Sequence, residues 1–221
     1  MSLERILEPE VMDTFEEARD YDAMDHSGVN QIFIDDFLAS SFDGNDVLDL
    51  GTGNARIPIE LCQRAENYRV MAVDAAAYML DVAKFNVDSA GFLERIQLQK
   101  VDAKNMPYSD GMFDAVMSNS IIHHIPEPLA VLREAVRVTR SGGQLFFRDL
   151  LRPDSKEQLR QLVETYTSDE SDHAQQLFGD SLHASLSLQE VKDLVQSLGF
   201  DPQQVIQNTD RHWTWSAVRE N

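Results

Sequence analysis

The chain has 221 residues, of which 43% are hydrophobic, and carries a formal net charge of −19 at pH 7. This length and composition fit one globular domain and are short for two. The charge argues against nucleic acid and anionic membrane as partners, because phosphate contact needs a basic surface. The acidity is either a solvated surface that favours solubility or a field that attracts a cationic ligand.

The cellular compartment is suggested by what the sequence lacks. Cys62 is the single cysteine, so no internal disulfide can form, which fits a reducing environment. The first ten residues, MSLERILEPE, lack the apolar stretch of a secretory signal, and no apolar run approaches membrane-spanning length. We therefore expect a cytoplasmic protein without a membrane span, and the sequence does not indicate its oligomeric state.

The order of predicted elements indicates the fold class. Residues 1–45 are acidic and helical in pattern, with one helix predicted from Val29 to Phe42. The predicted strands that follow are Val47–Leu50, Tyr68–Val73, Ile96–Val101, Phe113–Ser118 and Gln144–Leu150. The helices between them are predicted at Arg56–Arg64, Ala75–Ser89 and Glu127–Thr139, the last stopped by Ser141-Gly142-Gly143. This alternation predicts a parallel sheet with helices on both faces.

The C-terminal part has a different order of elements. A helix from Ser187 to Leu198 is followed by two strands, Val205–Gln207 and Trp213–Val218, with no helix between them. Their connection is too short for a crossover, so this pair should be antiparallel. The polar residues Ser168–Ser187 indicate an insertion or lid. We predict a single α/β domain over residues 1–221: a cap at 1–45, a core at 46–155, a lid or substrate segment at 156–187, and a helix with a strand pair at 188–221.

Polar residues follow three of the predicted strands. Gly51 and Gly53 come directly after the first strand, and they form either a plain tight turn or a close approach to a ligand. Asp74 ends the second strand, where a carboxylate can accept both hydroxyls of a ribose. Asp102 follows the third strand and, beside the backbone N–H of Ala103, can bind the edge of an adenine. Ligands of open parallel sheets bind at this edge.

The glycine pair must first be tested as a dinucleotide site. That site has the pattern G-x-G-x-x-G, in which the helix N-terminus meets a pyrophosphate. Here Arg56 stands at the third glycine position, and Asp49 precedes the loop, where its carboxylate would repel a pyrophosphate. A ligand with a positive end, such as a sulfonium nucleoside, suits this arrangement better.

Two stretches resemble a known enzyme family. VLDLGTGNARIPIELC resembles motif I of the class I S-adenosylmethionine-dependent methyltransferases. VDAKNMPYSDGMFDAVMSNSIIHHIPEPLAVLREAVRVTRSGGQLFFRDLLRP resembles the downstream half of the small-molecule group that includes the ubiquinone and menaquinone enzymes. The resemblance covers about residues 45–155, and it implies a Rossmann-like, seven-stranded, mostly parallel sheet whose last strand is antiparallel. Ala55 and Ser141 depart from the family pattern, at a frequent third glycine and at a usual proline.

The resemblance implies S-adenosylmethionine as cofactor and S-adenosylhomocysteine as product. It assigns Asp49 to the ammonium of the methionine end, and Asp74 to the ribose hydroxyls. The other cofactor-binding residues that it implies are Gly51, Thr52 and Gly53 along the methionine and ribose, Ala75, Met79, Asp102 and Ala103 around the adenine, and Ser118 and Asn119 near the sulfonium. The N-terminal 45 residues and the segment 155–187 match no family motif, so the sequence does not identify the acceptor.

Several residues are candidates for proton transfer, each with a structural alternative. His123 and His124 follow the fourth strand, where a general base can sit, but the pair can also form a structural turn. Tyr21, Asp25 and His26 either cap the cofactor or form a hydrophilic helix end. The fifth strand, which points towards the pocket, ends with Arg148, Asp149 and Arg152, and Arg148 can instead pair with an acid of this acidic surface.

The sequence predicts a methyltransferase acting on a small molecule, with His123 and Tyr21 as the catalytic candidates. A non-catalytic protein that binds the cofactor for sensing is an alternative, and a nucleotide-dependent oxidoreductase is a weaker one. No metal site is predicted, because His173 and His183 lack metal-ligand spacing with a cysteine or glutamate. Trp213 and Trp215 have the same-face spacing of a strand and are expected in the core.

Overall fold

The fold is built on one seven-stranded sheet. A computed structural model describes residues 3–8, 14–23, 27–40 and 42–220. The strand order is β3-β2-β1-β4-β5-β7-β6. The strands are β1 (Asp46–Leu50), β2 (Arg69–Asp74), β3 (Ile96–Lys100), β4 (Phe113–Asn119), β5 (Thr139–Leu150), β6 (Val205–Gln207) and β7 (His212–Val218). The predicted fold class, a mostly parallel sheet with antiparallel strands at its end, is confirmed.

Helices connect most of the strands. Within the described residues they are α1 (Phe15–Ala23), α2 (Ser27–Ala39), α3 (Arg56–Arg64), α4 (Ala77–Ala90), α5 (Pro128–Val138), α6 (Lys156–Thr167), α7 (Asp172–Ala184) and α8 (Leu188–Ser197). Short 3₁₀ turns lie at Ile122–His124 and Pro202–Gln204. None of these helices has both the length and the apolar character needed to cross a bilayer. The bounds of α3 agree with the sequence-based prediction.

The centre of the sheet is where the direction of chain winding changes. From β1 the chain proceeds outward to β2 and β3, and then returns to place β4 on the other side of β1. β1 is parallel to both neighbours, with Leu50 opposite Val73 and Ser118. Because the crossovers leave in opposite directions, a crevice opens at the carboxyl ends of β1 and β4, where ligands of such sheets bind.

The chain divides into two compact units. The larger contains Val11–Asn119, Ala130–Phe147 and Ser216–Asn221. Its core includes Phe33 and Phe37 of α2, which pack edge-to-face on Phe146 at 5.2 and 5.7 Å between ring centroids. Cys62 is buried in the same cluster, as a small core residue.

The smaller unit contains Met1–Glu10, Ser120–Leu129 and Arg148–Trp215. Leu150, Leu162 and Leu182 form one of its apolar clusters, which joins α6 and α7. Trp213 and Trp215 are fully buried, as the strand spacing predicted, and Phe200 packs edge-to-face on Trp215. β6 pairs with β7 in antiparallel register, which confirms the prediction for the last pair.

The predicted start of the fifth strand is wrong. β5 begins at Thr139 and not at Gln144, so Ser141-Gly142-Gly143 lies inside the strand. The N–H of Gly142 donates to the carbonyl of Arg219, and the N–H of Arg219 donates to the carbonyl of Gly143. These bonds to a neighbouring segment override the local preference of the glycines for a helix end.

The polar segment Ser168–Ser187 is also more regular than expected. It contains α7, whose N-cap is the Ser171 hydroxyl, and the preceding α6 begins after a Ser155 cap. Leu182 and Ala184 of α7 are buried, so this segment supplies core residues. In the N-terminal part, residues 3–8 form neither a helix nor a strand, although the sequence pattern there is helical.

We expect Gly143→Ala to destabilise the protein by about 1–3 kcal/mol, as overpacking does. A Cβ at Gly143 would lie 2.7 Å from the carbonyl oxygen of Asp114 and 2.9 Å from that of Arg140, and both are backbone atoms. Urea unfolding measures the change. In the control Gly28→Ala the new Cβ meets nothing within 4 Å in α2, so stability should stay equal or rise. Equal stability of Gly143→Ala and the parent would contradict the described packing.

Candidate functional site

The turn after β1 is held in an unusual backbone conformation. Gly51, Gly53 and Ala55 all have positive φ, at 70°, 54° and 61°. The N–H groups of Gly51 and Thr52 both donate to the carbonyl oxygen of Val73, at 2.9 Å. Glycine adopts this conformation without strain, whereas Ala55 is strained there by about 1–2 kcal/mol. The sequence analysis noted Ala55 only as a departure from the family pattern, yet it occupies the third left-handed position.

Asp74 joins this turn to the helix that follows β2. Its Oδ2 accepts the N–H of Gly53 at 2.8 Å, and its Oδ1 accepts the N–H of Ala76 at 2.9 Å, just before α4. Each carboxylate oxygen can accept more than one hydrogen bond, so these contacts are compatible with a ligand. Ala75, which lies between Asp74 and Ala76 in the chain, is partly buried.

Asp49 is a buried carboxyl at the end of β1. It is 2% exposed, and its Oδ2 has no hydrogen-bond partner among the described residues. Burial raises the pKa of Asp49 to about 7; the nearby Thr52 hydroxyl, which lies outside hydrogen-bond geometry, opposes the shift, and the charge of Asp74 adds to it. A buried acid without a partner is destabilising, and it is the kind of group that a cationic ligand satisfies.

A cavity of about 330 Å³ opens beside the turn. Its wall includes Gly51, Thr52 and Gly53, together with Asn119 at the end of β4. Side chains of α1, α2 and α3 complete the described lining. The volume is that of a small-molecule site, and its place at the carboxyl ends of β1 and β4 is where the topology predicts one.

Tyr21 of α1 packs close to the turn. It lines the cavity, and a Cβ built on Gly53 would lie 3.7 Å from its Cε1 atom. Burial and the charge of Asp74 raise the pKa of Tyr21, so its phenol stays protonated at neutral pH and is a poor proton acceptor. Asp25 and His26, named with it in the sequence, lie outside the described residues.

A polar cluster attaches α1 to the turn, and no sequence pattern predicted it. Asp22 Oδ1 accepts hydrogen bonds from Asn54 Nδ2 and Asn86 Nδ2, both at 2.9 Å, and from Arg56 Nη2 at 3.2 Å. Asn86 also donates to the carbonyl of Asn54 at 3.0 Å. Residues from α1, the turn, α3 and α4 thus meet at one carboxylate, which keeps Tyr21 over the cavity.

Three other sequence-based candidates lie at the start of α4 and after β3. Met79 is buried against Ala18 and Ala76, so it lies where α1 packs on α4. Asp102 is exposed, and its Oδ1 accepts the N–H of Lys104 at 2.9 Å and pairs with the ammonium of the same residue. Ala103 is partly buried beside it.

Ser118 has a structural contact. Its hydroxyl is 1% exposed and donates to the carbonyl of Leu50 at 3.0 Å, which joins β4 to β1. Ser118 is therefore turned to the neighbouring strand, and Asn119 is the residue at this strand end that lines the cavity.

His123 lies in the smaller unit, in the 3₁₀ turn after β4. Its Nδ1 is 2.5 Å from Asp149 Oδ1, and the N–H of Ile122 donates to Asp149 Oδ2 at 2.5 Å. Burial would lower the pKa of His123, but the charge and hydrogen bond of Asp149 outweigh it and hold the pKa above the usual value. The Nε2 of His123 is 3.5 Å from Glu8 Oε1, so both ring nitrogens face a carboxylate.

The two arginines at the end of β5 have partners in the fold. Arg148 is buried, and its Nε donates to the hydroxyl of Thr214 at 2.9 Å. Arg152 donates to the carbonyl of Ser185 at 3.1 Å and forms an ion pair with Glu190 at 2.8 Å. The sequence analysis considered an ion pair with an acid for Arg148, and the structure shows one at Arg152.

Comparisons with known proteins give a consistent picture. Residues 48–147 match a family model described as a methyltransferase domain. An arsenite methyltransferase from Aquipseudomonas alcaligenes is 30% identical over 187 residues, which cover 80% of this chain and 50% of that protein. A 27-O-demethylrifamycin SV methyltransferase from Amycolatopsis mediterranei is 28% identical over 179 residues, which cover 80% of this chain and 62% of that protein.

The chain thus spans between half and two thirds of the length of these curated relatives. Among solved structures, a SAM dependent methyltransferase from Aquifex aeolicus matches with a TM-score of 0.69 and 20% identity. The match covers 92% of this chain and 97% of that one. At this identity the likeness shows a shared fold.

We expect Asp49→Asn to increase the free energy of unfolding at pH 8 more than at pH 5. Because the pKa of Asp49 is raised from 3.8 to about 7, protonation stabilises the folded state at low pH, and this contribution is lost as pH rises through 7. Between pH 5 and the raised pKa of about 7 lie about two pKa units, which correspond to about 3 kcal/mol as an upper estimate. Urea unfolding of both proteins at the two pH values measures the difference. A difference that does not change with pH would contradict the raised pKa.

Proposed function

We propose that this chain, whose residues 48–147 match a methyltransferase domain, is a class I S-adenosylmethionine-dependent methyltransferase that transfers a methyl group from S-adenosylmethionine to a small-molecule acceptor. The observation that carries the proposal is the left-handed turn at Gly51–Gly53, with a cavity on one side and the carboxyls of Asp49 and Asp74 at its ends. A sulfonium nucleoside with an amino-acid tail offers a ribose diol and a cationic ammonium to these two carboxyls.

We assign the methionine end of the cofactor to the cavity. Gly51, Thr52, Gly53 and Asn119 line it, and we assign the ammonium to the nearby Asp49, whose Oδ2 has no hydrogen-bond partner among the described residues. Asp74 is assigned to the ribose hydroxyls, because it already bridges the turn and the start of α4. A charged carboxylate accepting hydroxyl hydrogen bonds forms stronger contacts than a neutral group.

The adenine is assigned to the region beyond Asp74. Ala75 and Met79 provide apolar surface near the start of α4, and the carboxylate of Asp102 with the N–H of Ala103 offers an acceptor and a donor. Ser118 contributes indirectly, since its bond to Leu50 fixes the strand end that carries Asn119. These roles follow from the resemblance and remain proposals.

The proposed reaction is a displacement at the methyl carbon. A lone pair of the acceptor forms the new bond to carbon while the carbon–sulfur bond breaks, and its electron pair stays on sulfur as S-adenosylhomocysteine is formed. Alignment of the two reactants can lower the barrier by roughly 7–11 kcal/mol, and a base is needed only when the acceptor carries a proton. The general-base roles of His123 and Tyr21 stay predictions; the raised pKa of Tyr21 favours a covering role instead.

A small molecule is the acceptor class that we propose. The two curated relatives carry arsenite and a rifamycin in their names, which are both small molecules. The net charge of −19 supports the absence of nucleic-acid partners, and the single buried cysteine supports a cytoplasmic location.

Turnover tests the proposed function. The purified chain is incubated with S-adenosylmethionine and a library of small metabolites, and release of S-adenosylhomocysteine is measured. We expect acceptor-dependent release with at least one class of compound. Tight binding of the cofactor without release from any acceptor would favour the non-catalytic sensor, and stabilisation by NAD but not by S-adenosylmethionine would favour the oxidoreductase.

Asp74→Ala should weaken binding of both S-adenosylmethionine and S-adenosylhomocysteine by at least about tenfold. Hydrogen bonds to a charged group contribute roughly 1.5–3 kcal/mol each, and 1.4 kcal/mol is a factor of ten in Kd. The matched control is Asp81→Ala, an exposed aspartate on α4, which should leave both Kd values unchanged. Calorimetry on the three proteins measures the effect. Unchanged affinity of Asp74→Ala would remove the ribose assignment.

Cofactor binding at pH 7 should release about half a proton, because the Asp49 carboxyl, with its pKa raised to about 7, is half protonated there and an adjacent ammonium lowers that pKa. Calorimetry in two buffers of different ionisation enthalpy measures the release. Adenosine, which lacks the ammonium, should release none, and Asp49→Asn should abolish the release while leaving adenosine affinity unchanged. Equal proton release by the parent and Asp49→Asn would place the ammonium elsewhere.

A further inference from the structure

Three potential metal ligands converge in the smaller unit. They are Oε1 of Glu8, Nε2 of His123 and Nδ1 of His124, all within 4.8 Å of one another. Glu8 Oε1 is 3.0 Å from the His124 nitrogen and 3.5 Å from the His123 nitrogen. In a tetrahedral complex with bonds of about 2.0–2.1 Å, neighbouring ligand atoms are about 3.3–3.4 Å apart. The spacing of these atoms therefore fits a first-row cation.

Two of the three atoms are buried without a hydrogen bond. Glu8 Oε1 and His124 Nδ1 have no hydrogen-bond partner in the part of the chain that the structure describes, although they lie close to each other. The Glu8 side chain is 12% exposed and the His123 side chain 5%. Buried polar atoms of this kind are destabilising unless a partner compensates them, and a shared cation would satisfy both at once.

Further contacts orient the converging side chains. Asp149 Oδ1 binds Nδ1 of His123, and this leaves Nε2 as the ring nitrogen that faces Glu8. The hydroxyl of Ser181 donates to Oε2 of Glu8 at 3.2 Å, which fixes the other carboxylate oxygen. Carboxylates that hold the second nitrogen of a histidine are the usual outer partners of metal-binding histidines.

The charges around the three atoms also favour a cation. Glu8 and Asp149 bring two carboxylates to the histidine pair, and the guanidinium of Arg5 donates to the carbonyls of His123 and Ile125. Two carboxylates against one guanidinium leave the cluster negative when the imidazoles are neutral.

We propose that Glu8, His123 and His124 form a binding site for one divalent transition-metal ion, with Zn²⁺ as the best-matched ion. Two imidazoles and one carboxylate are a donor set that zinc adopts at sites with a fourth, exchangeable position. That position can take water or an oxygen or nitrogen donor of a small molecule. The histidine pair, for which the sequence left open a general base or a structural turn, would then be a pair of metal ligands. This role does not depend on the proposed methyl transfer.

The test is a metal titration of the untagged full chain after treatment with a chelator. Calorimetry with Zn²⁺ should give about one site per chain, and Co²⁺ should give the visible absorption of a low-coordinate complex with nitrogen ligands. Glu8→Gln and His124→Asn should each weaken Zn²⁺ binding at least tenfold. Asp149→Asn keeps all three ligands and should weaken it about 10–100-fold, as loss of an outer partner does. The matched control is His173→Asn, an exposed histidine of α7, which should bind as the parent does.

Three results would overturn the proposal. They are no Zn²⁺ bound by the chelator-treated parent, binding that the control weakens as much as His124→Asn does, or binding that Glu8→Gln and His124→Asn leave unchanged. In each case the three side chains form an ion-paired cluster only. Thermal unfolding of the metal-free proteins shows which variants fold, and any folded member of the set decides the question. The titration contains neither cofactor nor acceptor, so a negative result for metal binding does not bear on the methyl-transfer proposal.

Discussion

One backbone acceptor determines the geometry of the candidate cofactor site. The carbonyl oxygen of Val73 binds the N–H groups of both Gly51 and Thr52, and this ends β1 in a left-handed turn directly beside the end of β2. The turn directs the N–H of Gly53 to Asp74, and the same carboxylate then binds the start of α4. One series of hydrogen bonds therefore connects the turn, β2 and α4, and a displacement of the turn would disturb each of these contacts.

Two energetically unfavourable features of the larger unit lie at or beside the same turn. Ala55 has a left-handed conformation that only glycine adopts without strain, and Asp49 has a buried oxygen without a hydrogen-bond partner among the described residues. Such violations of local rules are expected at binding sites, where a ligand supplies the missing partner. The two carboxyls at the turn differ in their hydrogen bonding. Asp74 already accepts two backbone N–H groups, whereas one oxygen of Asp49 has no partner among the described residues and is available to a cationic group.

Sequence reasoning predicted the parts of the molecule that depend on local pattern. The alternation of strands and helices gave the sheet, the bounds of α3 and the antiparallel pair β6 and β7, because apolar periodicity and short connections are local properties. It failed at Gly142-Gly143, where bonds to Arg219 extend β5, and at α6 and α7, where a polar surface obscured the buried leucines of each helix. Those outcomes depend on partners distant in sequence.

The residues of the candidate sites also divide into those that the sequence predicts and those that it does not, and the second group lies in the N-terminal part of the chain. Strand-end residues such as Asp49 and Asp74 are recognisable because a parallel sheet places them at one edge. Asp22 and Glu8 are not recognisable in this way, because an isolated acid in an acidic segment belongs to no sequence pattern. The contacts that give each of them a role are made with residues 32 or more positions away. In the larger unit Asp22 attaches α1 to the turn, and in the smaller unit Glu8 completes a three-ligand cluster with the histidine pair. The segment that matched no family motif thus supplies one carboxylate to each candidate site, and the features that distinguish this chain from its relatives should be sought there.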